Sequence, residues 1–129
     1  MKFSAEHIAI PSADPNALKS WYERVLGARV IWENGQTPPA CLIALSGIWL
    51  EIYEAESQPL NRGNNQLAGY RHLALRVDSL ESARAELEKR GVNFSGEVRP
   101  AAGGGKVLFF SDPEGNLLHL VERSVERKN

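Results

Sequence analysis

Residues 7–27 read "HIAIPSADPNALKSWYERVLG", and residues 72–91 repeat the same order of features. The second stretch reads "HLALRVDSLESARAELEKRG". Each stretch begins with a histidine in a strand-like run, continues through a helical pattern and stops at a glycine. A repeat of this kind indicates a duplicated structural unit.

Capping residues mark the helix in each repeat. In the first repeat, Asp14 is suited to cap the helix, Pro15 to occupy its first turn and Gly27 to end it. In the second repeat, Asp78 and Glu81 have the spacing of a capping box, and a glycine again follows the helical pattern. We therefore expect one capped helix per repeat.

Three further strand-like runs follow each helix. They are "ARVIWE", "ACLIALSG" and "IWLEIYE" in the first half, and "VNFSGEV", "GKVLFFSD" and "NLLHLVE" in the second. The pattern predicts a first strand-helix-strand-strand-strand module at about residues 1–55 and a second at 70–123. A connector rich in Asn, Gln, Gly and Pro covers 56–69, and a tail covers 124–129. We expect residues 1–129 to form a single α+β domain.

Composition restricts the classes of partner. The formal net charge is -1, basic residues are scattered, and no apolar run approaches the length of a membrane span. We therefore expect neither a nucleic-acid partner nor a membrane partner. The single Cys41 cannot form an internal disulfide, and the N-terminus has no signal-peptide pattern, so the expected location is the cytoplasm.

Strand alternation sorts the side chains of each predicted sheet onto two faces. One face is aliphatic and is expected to pack under the helix. The other face carries one polar residue on each of four strands: His7, Glu51, His72 and His119. Glu122 falls on the aliphatic side at a strand end, where it is expected to reach solvent rather than a site.

Three imidazoles and one carboxylate are the donor set of a divalent-metal site. Taken singly, each histidine could be a core residue and Glu51 an ion-pair partner. Their joint occurrence at repeat-related positions favours a metal site with one divalent ion, Zn, Ni, Co, Fe or Mn. Four protein ligands on an octahedral ion would leave two positions for water or for paired oxygens of a substrate.

The two repeats, with "WLEIYE" and "FFSDPEGNLLHLVE", resemble the vicinal oxygen chelate superfamily of glyoxalase I, bleomycin-resistance proteins and extradiol dioxygenases. The resemblance covers essentially the whole chain. It implies two βαβββ modules forming a cupped mixed sheet, the glyoxalase-like fold. It also implies metal ligands on the first and fourth strand of each module, here His7, Glu51, His72 and His119. The family's last ligand is usually glutamate, so His119 departs from the pattern.

The resemblance implies a lyase or isomerase like glyoxalase I or an epimerase, because dioxygenases leave the position of Glu51 out of their ligand set. In that chemistry a metal polarises a carbonyl, a base removes the adjacent proton and an enediolate forms. Glu51 is the only carboxylate of the set, so we predict that it is both ligand and catalytic base. The alternatives are an extradiol-type dioxygenase and a metal-free drug- or metabolite-binding module of the bleomycin-resistance type.

The substrate is expected to be a small molecule. Trp49 and Tyr53 share the face of Glu51, and Arg76 shares the face of His72, so these three are candidate substrate-binding residues. Trp49 and Tyr53 could equally be packing residues, and for Arg76 a surface or interface ion pair is the stronger alternative. "AAGGGK", residues 101–106, does not match a phosphate-binding loop and is expected to form a flexible loop near the site. Family members often dimerise, with ligands from one chain or two, so we expect a homodimer.

Overall fold

The structure is a computed structural model that describes residues 1–58 and 62–124. The chain divides into two compact units, Met1–Leu60 and Asn61–Asn129. This boundary falls inside the predicted connector 56–69. Residues 59–61 of that connector and 125–129 of the predicted tail lie outside the described residues.

Each unit has the predicted βαβββ order, which confirms the α+β class. The first unit contains β1 (His7–Ser12), α1 (Pro15–Leu26), β2 (Arg29–Glu33), β3 (Cys41–Leu45) and β4 (Ile48–Glu54). The second contains β5 (His72–Arg76), α2 (Leu80–Lys89), β6 (Arg99–Pro100), β7 (Lys106–Ser111) and β8 (Leu117–Glu122).

The strands of each unit form a four-stranded mixed sheet. The strand order is β1-β4-β3-β2 in the first unit and β5-β8-β7-β6 in the second. The first strand of each unit runs parallel to the fourth, and the other neighbours are antiparallel. The two orders are equivalent, so the repeat seen in the sequence is also a repeat of topology.

Helix α1 begins and ends at the predicted residues. The Asp14 carboxylate accepts a hydrogen bond from the Ala17 N–H at 3.1 Å, which satisfies a backbone donor that the first turn leaves free. Pro15 follows as the first helical residue. Gly27 ends the helix in the left-handed region, with φ of 73°, a conformation that glycine adopts without steric cost.

Helix α2 begins differently from the prediction. Ser79, not Asp78, is the capping residue, and its hydroxyl accepts a hydrogen bond from the Ser82 N–H at 3.2 Å. Ser79 has the extended backbone of an N-cap, so the Asp78 side chain lies one residue too early to reach the first turn. The predicted capping box of Asp78 and Glu81 is therefore wrong.

The predicted strand at 92–98 is also wrong. The structure has no strand there, and only Arg99–Pro100 pairs with β7. The apolar residues of this stretch are used for packing: Val92 is buried, and the Phe94 ring lies 5.5 Å from the Phe110 ring. Pro100 has no N–H to donate, which suits the edge position of β6.

The aliphatic face of each sheet packs against the helix of its unit, as predicted. Helix α1 contacts β1, β3 and β4, and α2 contacts β7 and β8. The buried residues include Leu18, Tyr22, Val25, Ile43, Leu50 and Ile52 in the first unit, and Leu80, Leu87, Leu108, Phe110, Leu118 and Leu120 in the second. Ile8 differs, because it lies near the start of edge strand β1 and is 44% exposed. Within the described residues, no helix has both the length and the apolar character needed to cross a membrane.

Residues 101–105, predicted as a flexible loop, form the turn between β6 and β7. The Ala101 N–H donates to Gly105 O at 3.0 Å, and the Arg123 guanidinium donates to the carbonyl oxygens of Ala102 and Gly104. Gly105 has φ of 104°, and a Cβ there would collide with the Glu122 carbonyl oxygen. Glycine is therefore required at this close approach.

Candidate functional site

In the first unit the structure brings His7 and Glu51 together. They lie on the neighbouring parallel strands β1 and β4, where His7 is aligned with Trp49 and Ala9 with Glu51. This diagonal register places His7 Nε2 at 3.6 Å from Glu51 Oε1. Both side chains are more than a third exposed, so both are accessible to a small molecule.

In the second unit the structure brings His72 and His119 together in the same way. On the parallel strands β5 and β8, His72 is aligned with Leu117 and Ala74 with His119, the same diagonal offset as in the first unit. The centroids of the two imidazole rings lie 4.4 Å apart. The repeat therefore produces two equivalent pairs: a histidine with a glutamate, and a histidine with a histidine.

Phe109 on β7 packs edge-on against both imidazoles of the second pair. Its ring centroid lies 5.3 Å from that of His72 and 4.8 Å from that of His119. His119 is consequently 8% exposed. Its burial, together with the nearby His72 and Arg123, lowers the pKa of His119 to about 4, so the ring is neutral at pH 7.

The first histidine of each pair also hydrogen-bonds through its second ring nitrogen. His7 Nδ1 donates to Glu6 Oε1 at 2.9 Å, and His72 Nδ1 donates to Asn65 Oδ1 at 2.7 Å. His119 differs, because its Nδ1 atom is buried and has no hydrogen-bond partner among the described residues. Such an unsatisfied buried nitrogen is unusual in a native protein.

A cavity of about 230 Å³ adjoins the second pair. It is lined by residues 63, 65 and 66, by residues 96, 97 and 99, and by Phe109 and Leu117. Asn65 and Phe109 therefore contact both the cavity and the imidazole of His72. The lining combines amide and charged groups with one aromatic ring, which suits a small polar ligand.

The candidate substrate-binding residues lie where strand alternation places them. Trp49 is 38% exposed and Tyr53 is half-buried, and both share the strand face of Glu51. Arg76 is exposed on the His72 side of β5. Their contact with a substrate stays a prediction.

Glu122 belongs to neither pair and contacts the start of helix α2. Its Oε1 atom accepts a hydrogen bond from the Leu80 N–H at 2.8 Å, at the start of α2. Its other carboxylate oxygen lies 3.8 Å from Lys106 Nζ. The predicted exclusion of Glu122 from the ligand set is consistent with this contact, but the side chain binds a helix terminus rather than extending only into solvent.

Sequence patterns do not single out Glu6, Asn65 or Phe109. Glu6 immediately precedes a strand, where alternation places neighbouring side chains on opposite faces, so nothing indicates contact with His7. Asn65 lies in the polar connector. Phe109 belongs to the apolar run "VLFF" and has the pattern of a core residue, although its position beside β8 follows once the antiparallel pairing is known.

The donor atoms of the two pairs have the chemistry of metal ligands. Neutral imidazole and carboxylate suit Zn, Ni, Co, Fe and Mn, and the unsatisfied buried Nδ1 of His119 is a polar atom that a ligand could satisfy. Among the described residues of each unit, no three His, Cys, Asp or Glu side chains form a group that could hold a metal ion. Each pair is thus half of the predicted set, and the four-ligand site stays a prediction.

Comparisons with known proteins identify relatives over nearly the full chain. The uncharacterized protein YwkD of Bacillus subtilis is 31% identical, covering 93% of this chain and 97% of its own. The lactoylglutathione lyase of Pseudomonas aeruginosa is 27% identical, covering 92% of this chain and 82% of its own.

The fold is shared with solved structures as well. The fosfomycin resistance protein FosX from Listeria monocytogenes, in complex with Mn(II) and sulfate, aligns with a TM-score of 0.65 at 19% identity, covering 97% of this chain and 92% of its own. The model of the Glyoxalase/Bleomycin resistance protein/Dioxygenase superfamily matches residues 4–120. The matched range covers nearly all of both duplicated βαβββ units and includes their equivalent polar pairs. The chain therefore belongs to this superfamily.

Proposed function

We propose that this protein is a metal-dependent enzyme of the glyoxalase I type, a lyase or isomerase that moves a proton next to a carbonyl group. The observation that carries the proposal is the equivalent register of the two pairs. His7 with Glu51 and His72 with His119 occupy the same diagonal positions on the parallel strands of the two units. A duplicated donor geometry is expected where two halves contribute equally to one kind of site.

His7, Glu51, His72 and His119 would hold one divalent cation, Zn, Ni, Co, Fe or Mn. When bound, the cation would polarise the substrate carbonyl and stabilise the negative charge that develops on its oxygen. His119 suits this role because its lowered pKa keeps the imidazole neutral, the form that ligates metals. The resemblance to a lactoylglutathione lyase and the Mn(II) bound by FosX on the same fold support this reading.

Glu51 is the residue proposed to move the proton. Its carboxylate is the only anionic group of the set, and it is accessible enough to meet a substrate. The 3.6 Å separation from His7 Nε2 leaves the carboxylate without a tight hydrogen bond to that ring. Glu51 would accept the proton from the carbon beside the carbonyl and return it to the neighbouring carbon.

The other candidate residues would bind the rest of a small-molecule substrate. Trp49 and Tyr53 offer aromatic surface beside Glu51, and Arg76 offers a cation for a carboxylate or phosphate. We also propose a cytoplasmic homodimer, the assembly common in the superfamily. The reaction needs no nucleic acid or membrane partner.

Metal content tests the proposal first. The full-length protein should be stripped with a chelator, reloaded with Zn, Ni, Co, Fe or Mn in turn, and analysed by mass spectrometry for bound metal. We expect one ion per chain in the wild type and loss of that ion in His119→Ala. Glu122→Gln serves as the matched control and should keep its metal.

Activity is then measured with the hemithioacetal of methylglyoxal and glutathione. Turnover that appears only in the metal-loaded protein would support the proposal. A wild-type protein that takes up no stoichiometric metal would contradict it and favour a metal-free binding module. Oxygen consumption with a catechol in place of isomerisation would favour the dioxygenase alternative.

A further inference from the structure

The first histidine of each pair uses the same ring nitrogen for a hydrogen bond. His7 Nδ1 contacts Glu6 Oε1 at 2.9 Å, and His72 Nδ1 contacts Asn65 Oδ1 at 2.7 Å. The acceptors come from unrelated places, because Glu6 precedes β1 directly and Asn65 lies seven residues before His72. Two different neighbours thus provide an oxygen atom to equivalent atoms of the two repeats.

The short contacts favour a proton on Nδ1 of each ring; at His7, Glu6 Oε1 lies 2.9 Å from Nδ1, whereas Glu51 Oε1 lies 3.6 Å from Nε2. A carboxylate and an amide oxygen only accept hydrogen bonds, so each Nδ1 must be the donor. A neutral imidazole has one N–H, which leaves the lone pair on Nε2. In the first unit Nε2 is also the ring atom that lies toward Glu51, the other candidate metal ligand of the pair.

We propose that Glu6 and Asn65 are positioning residues that hold His7 and His72 in the Nδ1–H form, with Nε2 directed to a metal ion. The role toward a metal rests on the proposed function. Partners of this kind orient ligating histidines and raise their basicity in many metal sites. The assignment of the protonated nitrogen does not depend on any metal.

Both positioning residues are themselves held in place. The Trp49 N–H donates to Glu6 O at 3.1 Å, which ties the backbone of Glu6 to β4. The Asn64 side chain accepts from the Gln66 N–H at 2.9 Å and closes the turn that presents Asn65. Asn65 also lines the cavity beside the second pair, so a ligand there would touch the residue that orients His72.

His119 provides an internal comparison. Its Nδ1 atom has no hydrogen-bond partner among the described residues, so no neighbouring oxygen selects its protonated nitrogen. A variant that removes the acceptor of His7 or of His72 should therefore leave the signals of His119 unchanged. With three histidines in the chain, each ring can be followed separately.

Nitrogen-15 spectra of the imidazoles test the assignment in the full-length, metal-free protein. The spectra are recorded at about pH 9. We expect the Nδ1–H form at both His7 and His72. Glu6→Leu should alter this pattern at His7 only, and Asn65→Leu at His72 only, whereas Glu6→Gln and Asn65→Asp keep an acceptor oxygen and should retain it. The Nε2–H form in the wild type, or Leu variants with unchanged patterns, would overturn the proposal.

Zn²⁺ titration of the same proteins tests the positioning role. The affinity should fall about 10-fold in each Leu variant and stay near the wild-type value in Glu6→Gln and Asn65→Asp. An unchanged affinity in a Leu variant whose protonated nitrogen has moved would refute positioning. A wild-type protein that binds no Zn²⁺ would refute the proposed metal function, and the imidazole spectra would then decide the assignment alone.

Discussion

At the scale of single residues, Glu51 and His119 occupy equivalent places in the two repeats but differ in chemistry. Each lies on the fourth strand of its unit, offset diagonally from a histidine on the first strand. Glu51 is a carboxylate more than a third exposed, while His119 is buried and neutral at pH 7. In the proposed function, Glu51 would therefore act as both metal ligand and proton acceptor, and His119 would act as a metal ligand only.

Replacing Glu51 should remove turnover without unfolding the protein. We expect Glu51→Gln to lower kcat by at least about 100-fold, because a positioned general base contributes this much or more. The thermal midpoint should change little, since the side chain is partly exposed and has no tight hydrogen bond. Glu54→Gln, at an exposed position of the same strand, is the matched control and should keep its activity. Equal activity in both variants would refute the role of Glu51 as base.

Burial of neutral His119 should make the metal-free protein sensitive to acid. Its folded-state pKa of about 4 lies below the ordinary value of 6.5, so the unfolded chain binds a proton first as the pH falls. The contribution to stability is complete above pH 6.5 and is lost as the pH falls through 4. The loss amounts to at most about 3–4 kcal/mol at the acid end, by the conversion of about 1.4 kcal/mol per pKa unit.

Urea denaturation across this pH range measures the effect. The free energy of unfolding of the wild type should fall as the pH is lowered from 6.5 to about 4. In His119→Leu this part of the pH dependence should be absent. Parallel pH curves for the two proteins would show that His119 is charged, or exposed, in the folded state.

At the scale of elements, the contact between Glu122 and Leu80 joins the end of β8 to the start of α2. The two residues are 42 positions apart in the chain. The negative charge lies at a helix N-terminus, where backbone N–H groups and the helix dipole stabilise an anion. Glu122 thus complements Ser79, whose hydroxyl accepts a hydrogen bond from the Ser82 N–H in the same turn.

Glu122→Gln should lower the free energy of unfolding by about 0.5–1 kcal/mol, because an amide can still accept the hydrogen bond but carries no charge. Metal content should not change. Glu81→Gln removes a charge from the exposed first turn of the same helix without removing this contact, and should cost less. Urea denaturation and metal analysis check the two parts of the prediction. Loss of metal in Glu122→Gln would place that carboxylate in the ligand set.

At the scale of the whole molecule, the duplication distributes the candidate ligands evenly between two units. Each unit contains two candidate ligands, and among its described residues no third His, Cys, Asp or Glu joins them in a group that could hold a metal ion. Several apolar side chains are also exposed on the strands of the first unit, including Ile8, Trp32 and Trp49, at 44%, 49% and 38% exposure. Exposed apolar surface of this kind is typical of an interaction face.

We expect light scattering to give the mass of a homodimer, twice the 14.3 kDa of one chain. Trp32→Lys should shift the mass toward that of one chain, because burial of a charge at an apolar interface is unfavourable. Glu33→Lys changes charge at the neighbouring position and is the comparison variant. A wild-type mass of 14.3 kDa under native conditions would contradict the dimer.

The sequence alone determined the two βαβββ modules, the ends of α1 and the strand faces of the four polar residues. Helix caps such as Asp14 and Gly27 act on neighbouring backbone groups, and strand alternation is a property of each strand by itself. Local features of this kind can be predicted from the order of residues. Because the pattern occurs in both halves, the same argument applies to His7 and to His72.

The neighbours of those residues follow from the folded structure and not from the local sequence. The Asn65 amide meets His72 because the connector folds back on β5, and the Phe109 ring meets His119 because β7 pairs with β8. The Glu122 carboxylate meets Leu80 across 42 positions of the chain. The same holds for residues 92–98, whose apolar side chains pack as Val92 and Phe94 do instead of forming a strand. A side chain's partners are set by the long-range pairing of the sheet, because residues far apart in the chain become neighbours only when the strands align.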